Sequence, residues 1–128
     1  MVKKKFLILI QARIKSSRLP GKTLFNFFNI TVFERVLKIA INAAGNKKNV
    51  HVLLGEKKDC SILSSICISN NVSYNFCRPG KENNLYLRFK DFIIKNFKKY
   101  DFFLRVTSDN YLIQPKILKH MINDFKKK

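Results

Sequence analysis

Hydrophobic positions along the chain follow two periods, and the pattern changes from one period to the other four times. Short runs of apolar and β-branched residues predict four β-strands, at 5–12, 49–54, 72–77 and 101–106. Each run precedes a segment in which apolar residues recur every three or four positions, a spacing that predicts an α-helix. These helices are expected over 31–45, 59–69 and 84–99 and from residue 115 to the end of the sequence.

Capping signals support three of these helices. Thr31 and Glu34 have the spacing of a capping box, and Gly45 is a suitable stop for the same helix. Asn84 can cap the third helix, and Pro115 suits the first turn of the last one. The predicted inward faces of the first, second and third helices consist of apolar residues: Val32, Phe33, Val36, Leu37, Ile39, Ala40 and Ala43; Ile62, Leu63, Ile66 and Cys67; and Leu85, Phe89, Phe92, Ile93 and Phe97.

The alternation of strands and helices predicts an α/β fold, Rossmann-like and three-layered, with a parallel sheet and right-handed crossovers. The expected strand order is 3-2-1-4, so the order reverses between the first and the fourth strand. Ligands of open α/β sheets bind beyond the carboxyl ends of the strands at such a reversal. Two loops, 13–22 and 107–110, are expected to meet there.

Composition narrows the class of protein. The 128 residues, 46% of them hydrophobic, suit one globular domain, and 26 Lys and Arg against 8 Asp and Glu give a net charge of +18. The lysines are scattered, so specific nucleic-acid binding is not expected, although a basic polyanion-binding module stays open as an alternative. Cys60, Cys67 and Cys77 form no metal or disulfide spacing, and the apolar run 6–10 is too short for a signal peptide or a membrane span. A cytoplasmic protein is expected.

The loop after the first strand carries the most informative chemistry. Residues 11–22 read Gln-Ala-Arg-Ile-Lys-Ser-Ser-Arg-Leu-Pro-Gly-Lys, which places three cations, two hydroxyls and a glycine at the mouth of a buried strand. A nucleoside triphosphate needs such a composition, and a protein core does not. Arg13 and Lys22 are the expected ligands of the β- and γ-phosphates, and Gly21 would let backbone N–H groups approach them. The alternative is a solvated connecting loop.

The loop after the fourth strand supplies the complementary charge. Asp109 lies in the polar segment 107–110, where its carboxylate is expected to hold Mg²⁺ beside the α-phosphate. Its structural alternative is an Asx-turn or a helix-entry residue. His51 and His120 have no partner at catalytic or metal-ligand spacing, so both are expected to be structural or surface residues.

Three segments together match one family. Ile-Gln-Ala-Arg at 10–13 with Ser-Ser-Arg-Leu-Pro-Gly-Lys at 16–22 resembles the opening signature of cytidylyltransferases that act on acidic sugars, of the spore-coat-polysaccharide type and related to the acylneuraminate and 3-deoxy-manno-octulosonate enzymes. Segments 80–89 and 104–110 are similar to the family's Gly…Asp-Val-Leu-x-Arg-Tyr and Arg-x-Thr-x-Asp-Asn-Pro stretches. The resemblance runs over about 5–125.

The resemblance implies a nucleotide-diphospho-sugar transferase type of fold that transfers CMP from CTP to a sugar acid, with Mg²⁺ and release of pyrophosphate, in surface polysaccharide biosynthesis. It implies catalytic roles for Arg13, Lys22 and Asp109, with Asp109 on the metal. Nucleotide contacts would come from Gln11, Ala12, Arg13, Ser17, Arg18, Gly21, Lys22, Arg78 and Thr107.

The chain departs from the family's pattern at Lys15, Asn84 and Tyr111, none of which is an expected phosphate or metal ligand. It also departs in length, since the family's catalytic domain continues further. Residues 1–128 are therefore expected to form the nucleotide-binding part of a cytidylyltransferase domain that is short at its C-terminus. A non-catalytic remnant or split subunit that needs a second chain, or a homodimer partner, stays open as the alternative.

Overall fold

The computed structural model describes residues 4–15, 21–27, 29–108 and 112–128. Strands and helices alternate as the sequence predicts, with bounds as follows: β1 Phe6–Ala12, β2 Asn26–Phe27, β3 Ile30–Thr31, α1 Val32–Ala44, β4 Val50–Leu54, α2 Ser61–Ser69, β5 Ser73–Phe76, α3 Leu85–Asn96, β6 Phe102–Thr107 and α4 Pro115–Lys126. Single 3₁₀ turns cover Lys22–Leu24 and Lys47–Asn49.

The main sheet is fully parallel, with strands in the order β5-β4-β1-β6. The predicted α/β class with a four-stranded parallel sheet is thus confirmed, and the four predicted strands have the predicted neighbours. One detail differs, because the antiparallel hairpin of β2 and β3 was not predicted. With that hairpin counted as the second β element, the order becomes 4-3-1-5 rather than 3-2-1-4. Its two-residue strands are too short to show an alternating pattern.

Local capping explains where two of the helices begin and end. The Thr31 hydroxyl accepts the Glu34 N–H at 3.1 Å, and Gly45 closes α1 in a left-handed conformation with φ of 76°. The Glu34 carboxylate accepts from the Asn70 side chain at 3.0 Å and so ties α1 to the end of α2. Asn84 accepts the Leu87 N–H at 3.0 Å and begins α3 as predicted, but that helix ends at Asn96, before the predicted end at 99.

The two faces of the sheet are covered differently. One face packs against α1, α2 and α4 in the apolar core, to which β1 contributes Phe6, Ile8, Ile10 and Ala12. The other face lies under α3, where Phe92 stacks on His51 with ring centroids 4.5 Å apart and meets Phe103 at 6.3 Å. The sheet therefore forms the middle of three layers, with α3 on the side of the less apolar face.

The predicted inward face of α3 needs a correction. Leu85 and Phe97 are exposed, with 45% and 56% of their surface accessible, whereas Phe89, Phe92 and Ile93 are half-buried. Arg88 takes the most buried position of the helix, at 7% exposure. Its guanidinium donates to carbonyl groups at the ends of strands, so α3 packs a polar side chain where the apolar pattern suggested only hydrophobic contact. Among the described residues, no helix has the length and apolar character needed to cross a bilayer.

Candidate functional site

The carboxyl ends of β1 and β6 border a pocket of about 280 Å³, here called the β1–β6 pocket. Gln11 and Thr107 are paired in register at the end of these strands. The pocket lies at the predicted reversal of strand order. Its described lining combines both predicted loops with part of α3 and consists of Gln11, Ala12, Arg13, Lys22, Thr23, Leu85, Arg88, Arg105, Thr107 and Ser108.

The described lining of the pocket carries four cations and no carboxylate. Arg13 and Lys22 were predicted here, and Arg88 and Arg105 join them. Opposing carboxylates would lower the positive potential of such a pocket, so their absence from the described lining favours an anionic ligand.

Arg13 is the first residue after β1, and its guanidinium is held from the side by a neutral group. Its NH1 donates to the amide oxygen of Asn83 at 2.7 Å. Asn83 lies in the loop that precedes α3. An amide oxygen orients the guanidinium without neutralising its charge, so Arg13 keeps its full charge for a ligand.

The turn before Lys22 depends on Gly21. Its φ of 76° is in the left-handed region, and its N–H donates to the carbonyl of Ile14 at 2.8 Å. A Cβ built on Gly21 meets nothing within 4 Å, so the need for glycine is conformational rather than steric. The N–H of Gly21 itself thus closes the turn. That turn returns the chain to the pocket, where Thr23 is buried and its hydroxyl lies 3.5 Å from the Arg13 carbonyl.

The floor of the β1–β6 pocket is a pair of polar side chains from adjacent strands. Arg105 donates through Nε to the Gln11 amide oxygen at 3.2 Å, and its guanidinium lies over the Phe89 ring at 5.3 Å from the centroid. Gln11 is buried, at 6% exposure, and its Nε2 has no hydrogen-bond partner among the described residues. Arg105 was not predicted as a site residue, although it belongs to the segment 104–110 that carries the family resemblance.

Arg88 is the site residue that sequence reasoning missed most clearly. Its NH2 donates to the carbonyls of Leu53 at 3.1 Å and Ala12 at 3.5 Å, which joins α3 to the ends of β4 and β1. Burial lowers the pKa of its guanidinium, which nevertheless stays charged at neutral pH. The available signal was its position, three residues after Leu85 and four before Phe92, which places a cation on the inward face of a helix.

Arg78, a predicted nucleotide contact, lines a different space. It forms a bidentate pair with Asp91, with Nε–Oδ2 and NH2–Oδ1 distances of 2.8 and 3.0 Å. Both residues line a cavity of about 540 Å³ between α3 and β4–β5, here called the α3–β5 cavity. Arg88 lines both spaces, so the cavity and the β1–β6 pocket are neighbours. The structure brings Gln11, Ala12, Arg13, Lys22 and Thr107 together and places Arg78 in the adjoining space.

Three predicted site residues, Ser17, Arg18 and Asp109, lie outside the described residues. Ser108, directly before Asp109, lines the β1–β6 pocket and donates its backbone N–H to the Gln11 carbonyl at 3.2 Å. Within the described part of the chain, no group of three or more His, Cys, Asp or Glu side chains could hold a metal ion.

The histidines and cysteines belong to the framework. His51 has both ring nitrogens engaged, with Nδ1 2.7 Å from the Ser73 hydroxyl and Nε2 2.6 Å from the Asn75 amide oxygen, and burial lowers its pKa. His120 lies on the exposed side of α4, 3.6 Å from Asp124. All three cysteines are free thiols, and burial raises the pKa of Cys67 to about 12.

Comparison with known proteins shows what the chain is similar to. A profile described as cytidylyltransferase matches residues 7–128. A solved cytidylyltransferase from Leptospira borgpetersenii is 34% identical to the chain, with a TM-score of 0.81, and the match covers 95% of this chain and 49% of that one. No curated protein matches the chain.

Two further solved structures share the fold at lower identity. CMP:2-keto-3-deoxy-manno-octonic acid synthetase complexed with CTP is 21% identical with a TM-score of 0.78, and the match covers 97% of this chain and 48% of that one. A Mycobacterium tuberculosis protein in complex with manganese is 14% identical with a TM-score of 0.70, at 96% and 60% coverage. The chain spans about half the length of the first two structures.

Proposed function

The chain belongs to the cytidylyltransferase family, and we propose that its β1–β6 pocket binds CTP for nucleotidyl transfer to an acidic sugar, which forms a CMP-sugar and releases pyrophosphate. The observation that carries the proposal is the charge of the pocket, whose described lining has four cations and no carboxylate. Because the chain covers about half of the related solved structures, the activity of a whole enzyme is part of the proposal.

The charge of the pocket suits a triphosphate. At neutral pH a nucleoside triphosphate carries about four negative charges, roughly one on each inner phosphate and two on the terminal one. Arg13 is suited to bind two phosphate oxygens at once, and Lys22, which also lines the pocket, provides a compact point charge. Arg105 and Arg88 add positive potential from the floor and from α3.

The same cations would assist the chemical step. A hydroxyl oxygen of the sugar attacks the α-phosphorus of CTP and forms a new P–O bond, while the bond from that phosphorus to the oxygen bridging to the β-phosphate breaks. Pyrophosphate leaves with the bonding electron pair, and the hydroxyl proton passes to solvent. Negative charge grows on the leaving oxygens, where fixed cations such as Arg13 and Lys22 lower the barrier electrostatically.

We propose Asp109 as the ligand of Mg²⁺. The described lining supplies no anionic ligand for a metal ion. Its cations and N–H donors fit the phosphates instead. We therefore expect the carboxylate that would bind Mg²⁺ in a residue next to the lining. Asp109 follows Ser108, a lining residue, and carboxylate oxygens are suitable Mg²⁺ ligands. A bound divalent cation would neutralise phosphate charge. Asp109→Asn should weaken Mg²⁺-dependent CTP binding about tenfold and leave metal-free binding level.

Titration calorimetry of the purified chain tests the proposed binding. CTP should bind in the presence of Mg²⁺ and raise the melting temperature more than Mg²⁺ alone does, since a ligand of the native state stabilises it. Salt dependence separates this proposal from a basic polyanion-binding module. The module predicts binding to DNA or heparin that does not depend on CTP and that falls steeply with salt.

A second candidate is a subunit that binds CTP but needs another chain for turnover. The observation behind it is the partial coverage of the related structures, together with large apolar side chains exposed on α3 and before α4, such as Tyr86 and Leu112 at 70% each. Pyrophosphate release by the chain alone, with CTP, Mg²⁺ and sugar acids, distinguishes the two. We expect little release, and restored release when a polypeptide that corresponds to the remaining length of the related structures is added. Robust turnover by the 128 residues alone would contradict this expectation.

A further inference from the structure

The guanidinium of Arg13 is held by a residue 70 positions away in the sequence. Its NH1 donates to the Asn83 Oδ1 at 2.7 Å, and Arg13 lines the β1–β6 pocket. Asn83 itself is exposed. Its side chain therefore contributes little to the core, and its main described contact is the one with Arg13.

The loop that carries Asn83 is held by the carboxylates of two glutamates, Glu56 and Glu82. The Glu56 N–H donates to the Glu82 carboxylate at 3.1 Å, and the Gly80 N–H donates to the Glu56 carboxylate. Glu82 is buried at 8% exposure. The contact lowers the pKa of Glu56, chiefly because the Gly80 N–H stabilises its charged form.

These contacts are continuous with β1, which ends at Ala12, directly before Arg13. Gly55 donates its N–H to the Ala12 carbonyl at 3.0 Å, directly before Arg13. A Cβ built on Gly55 would lie 1.8 Å from the Glu82 Oε1, so a side chain at position 55 would displace the Glu82 carboxylate. A closed circuit of contacts thus joins Ala12, Gly55, Glu56, Glu82 and Asn83 back to Arg13.

We propose that Asn83 is a positioning residue, which aims the Arg13 guanidinium at the triphosphate and, being neutral, leaves its charge available. This inference rests on the proposed binding of CTP in the β1–β6 pocket. Arg78 is the contrasting case. The carboxylate of Asp91 orients its guanidinium and also neutralises its charge. An aspartate at position 83 would keep the acceptor for Arg13 but add a negative charge that competes with phosphate.

Binding measurements on Asn83→Ala, Asn83→Asp, Arg13→Ala and the Arg13→Ala/Asn83→Ala double variant test the inference. Calorimetric titrations use CTP with Mg²⁺, inorganic tripolyphosphate, and CMP, which lacks the β- and γ-phosphates. The matched control is Asn123→Ala, an asparagine exposed on α4. Melting temperatures of all variants show whether the fold is kept, and Asn83→Asp serves if the alanine variant is unstable.

We expect Asn83→Ala to weaken CTP and tripolyphosphate binding about three- to tenfold, to change CMP binding less than twofold, and to have no further effect in the Arg13→Ala background. Asn83→Asp should keep the melting temperature but weaken both polyphosphates at least as much, by an amount that shrinks at high salt. A purely structural role would not separate CMP from CTP.

The outcomes separate the two hypotheses. If Arg13→Ala weakens CTP binding but Asn83→Ala does not, or if Asn83→Ala acts equally in the Arg13→Ala background, the positioning role is wrong and CTP binding stands. If the parent chain binds neither CTP nor tripolyphosphate, or Arg13→Ala binds them as the parent does, the proposed function is wrong and the positioning role is lost with it.

Discussion

The β1–β6 pocket and the α3–β5 cavity are neighbours that treat their arginines differently. In the pocket, neutral oxygens accept from Arg13, Arg88 and Arg105, namely an asparagine amide, backbone carbonyls and a glutamine amide. In the cavity, Arg78 is paired with the carboxylate of Asp91 through two hydrogen bonds. Arg88 separates the two spaces and lines both.

This difference indicates where an anion is expected to bind. A neutral acceptor fixes the direction of a guanidinium and leaves its charge uncompensated, whereas a bidentate carboxylate removes most of the potential that an anionic ligand would meet. The cavity is almost twice as large as the pocket, at about 540 against 280 Å³. Charge compensation, rather than volume, therefore distinguishes the candidate phosphate site from its neighbour.

The largest effect is expected from removing a cation of the pocket. Arg13→Ala and Lys22→Ala should each raise the Kd for CTP about 10- to 100-fold, because a charge-assisted hydrogen bond contributes about 1.5–3 kcal/mol. Calorimetric titration measures the change, with Lys119→Ala, an exposed lysine of α4, as the matched control. Parent-like CTP binding in both variants would remove the pocket from consideration as the triphosphate site.

The next largest effect is expected where the loop at Gly55 packs against the Glu82 side chain. Gly55→Ala should destabilise the fold by about 1–3 kcal/mol, since its Cβ would displace the buried Glu82 carboxylate. Urea unfolding measures this loss. Gly21→Ala is the comparison, because its Cβ meets no atom within 4 Å and its cost comes from the positive φ alone, about 1–2 kcal/mol. Parent-like stability of Gly55→Ala would show that the loops are not tightly packed.

A smaller effect tests the neutralised arginine of the α3–β5 cavity. Asp91→Asn should release the charge of Arg78 and raise tripolyphosphate affinity about two- to fivefold, in keeping with the modest strength of exposed ion pairs. Arg78→Ala alone should change that affinity less than about threefold and should abolish the gain in the double variant. If Arg78→Ala lowered tripolyphosphate affinity as much as Arg13→Ala does, phosphate would bind in the α3–β5 cavity, and charge compensation would not distinguish the two spaces.

The smallest effect is expected at His51, which lies in β4 and stacks on Phe92 of α3. Its folded-state pKa is lowered, chiefly by burial, so the unfolded chain binds more protons below about pH 6.5. Stability should therefore be full above that pH and decline as the pH falls toward the folded-state pKa. Urea unfolding at pH 5.5 and 7.5 measures the decline, which should be reduced in His51→Gln. An unchanged decline in that variant would assign it to other groups.

The order of the strands and helices and the location of the candidate site could both be predicted from the sequence alone. The apolar periods predicted four parallel strands with helices between them, and local capping by Thr31 and Asn84 started two helices where the pattern required. Arg13 and Lys22 could be placed at the crevice because each follows a signal close to it in the chain. Such features depend on interactions within about one turn or one strand, which a linear pattern records.

The partner of each charged side chain could be identified only once the chain was folded. Asn83 approaches Arg13 across 70 residues, Asp91 claims Arg78, and Arg88 is buried against carbonyls of β1 and β4. None of these contacts has a periodic signature, because they join segments that meet only after the strands have paired and α3 has packed on the sheet. The sequence therefore predicts which charged residues lie at the site. Whether each charge is neutralised by a partner or left available for a ligand depends on the fold.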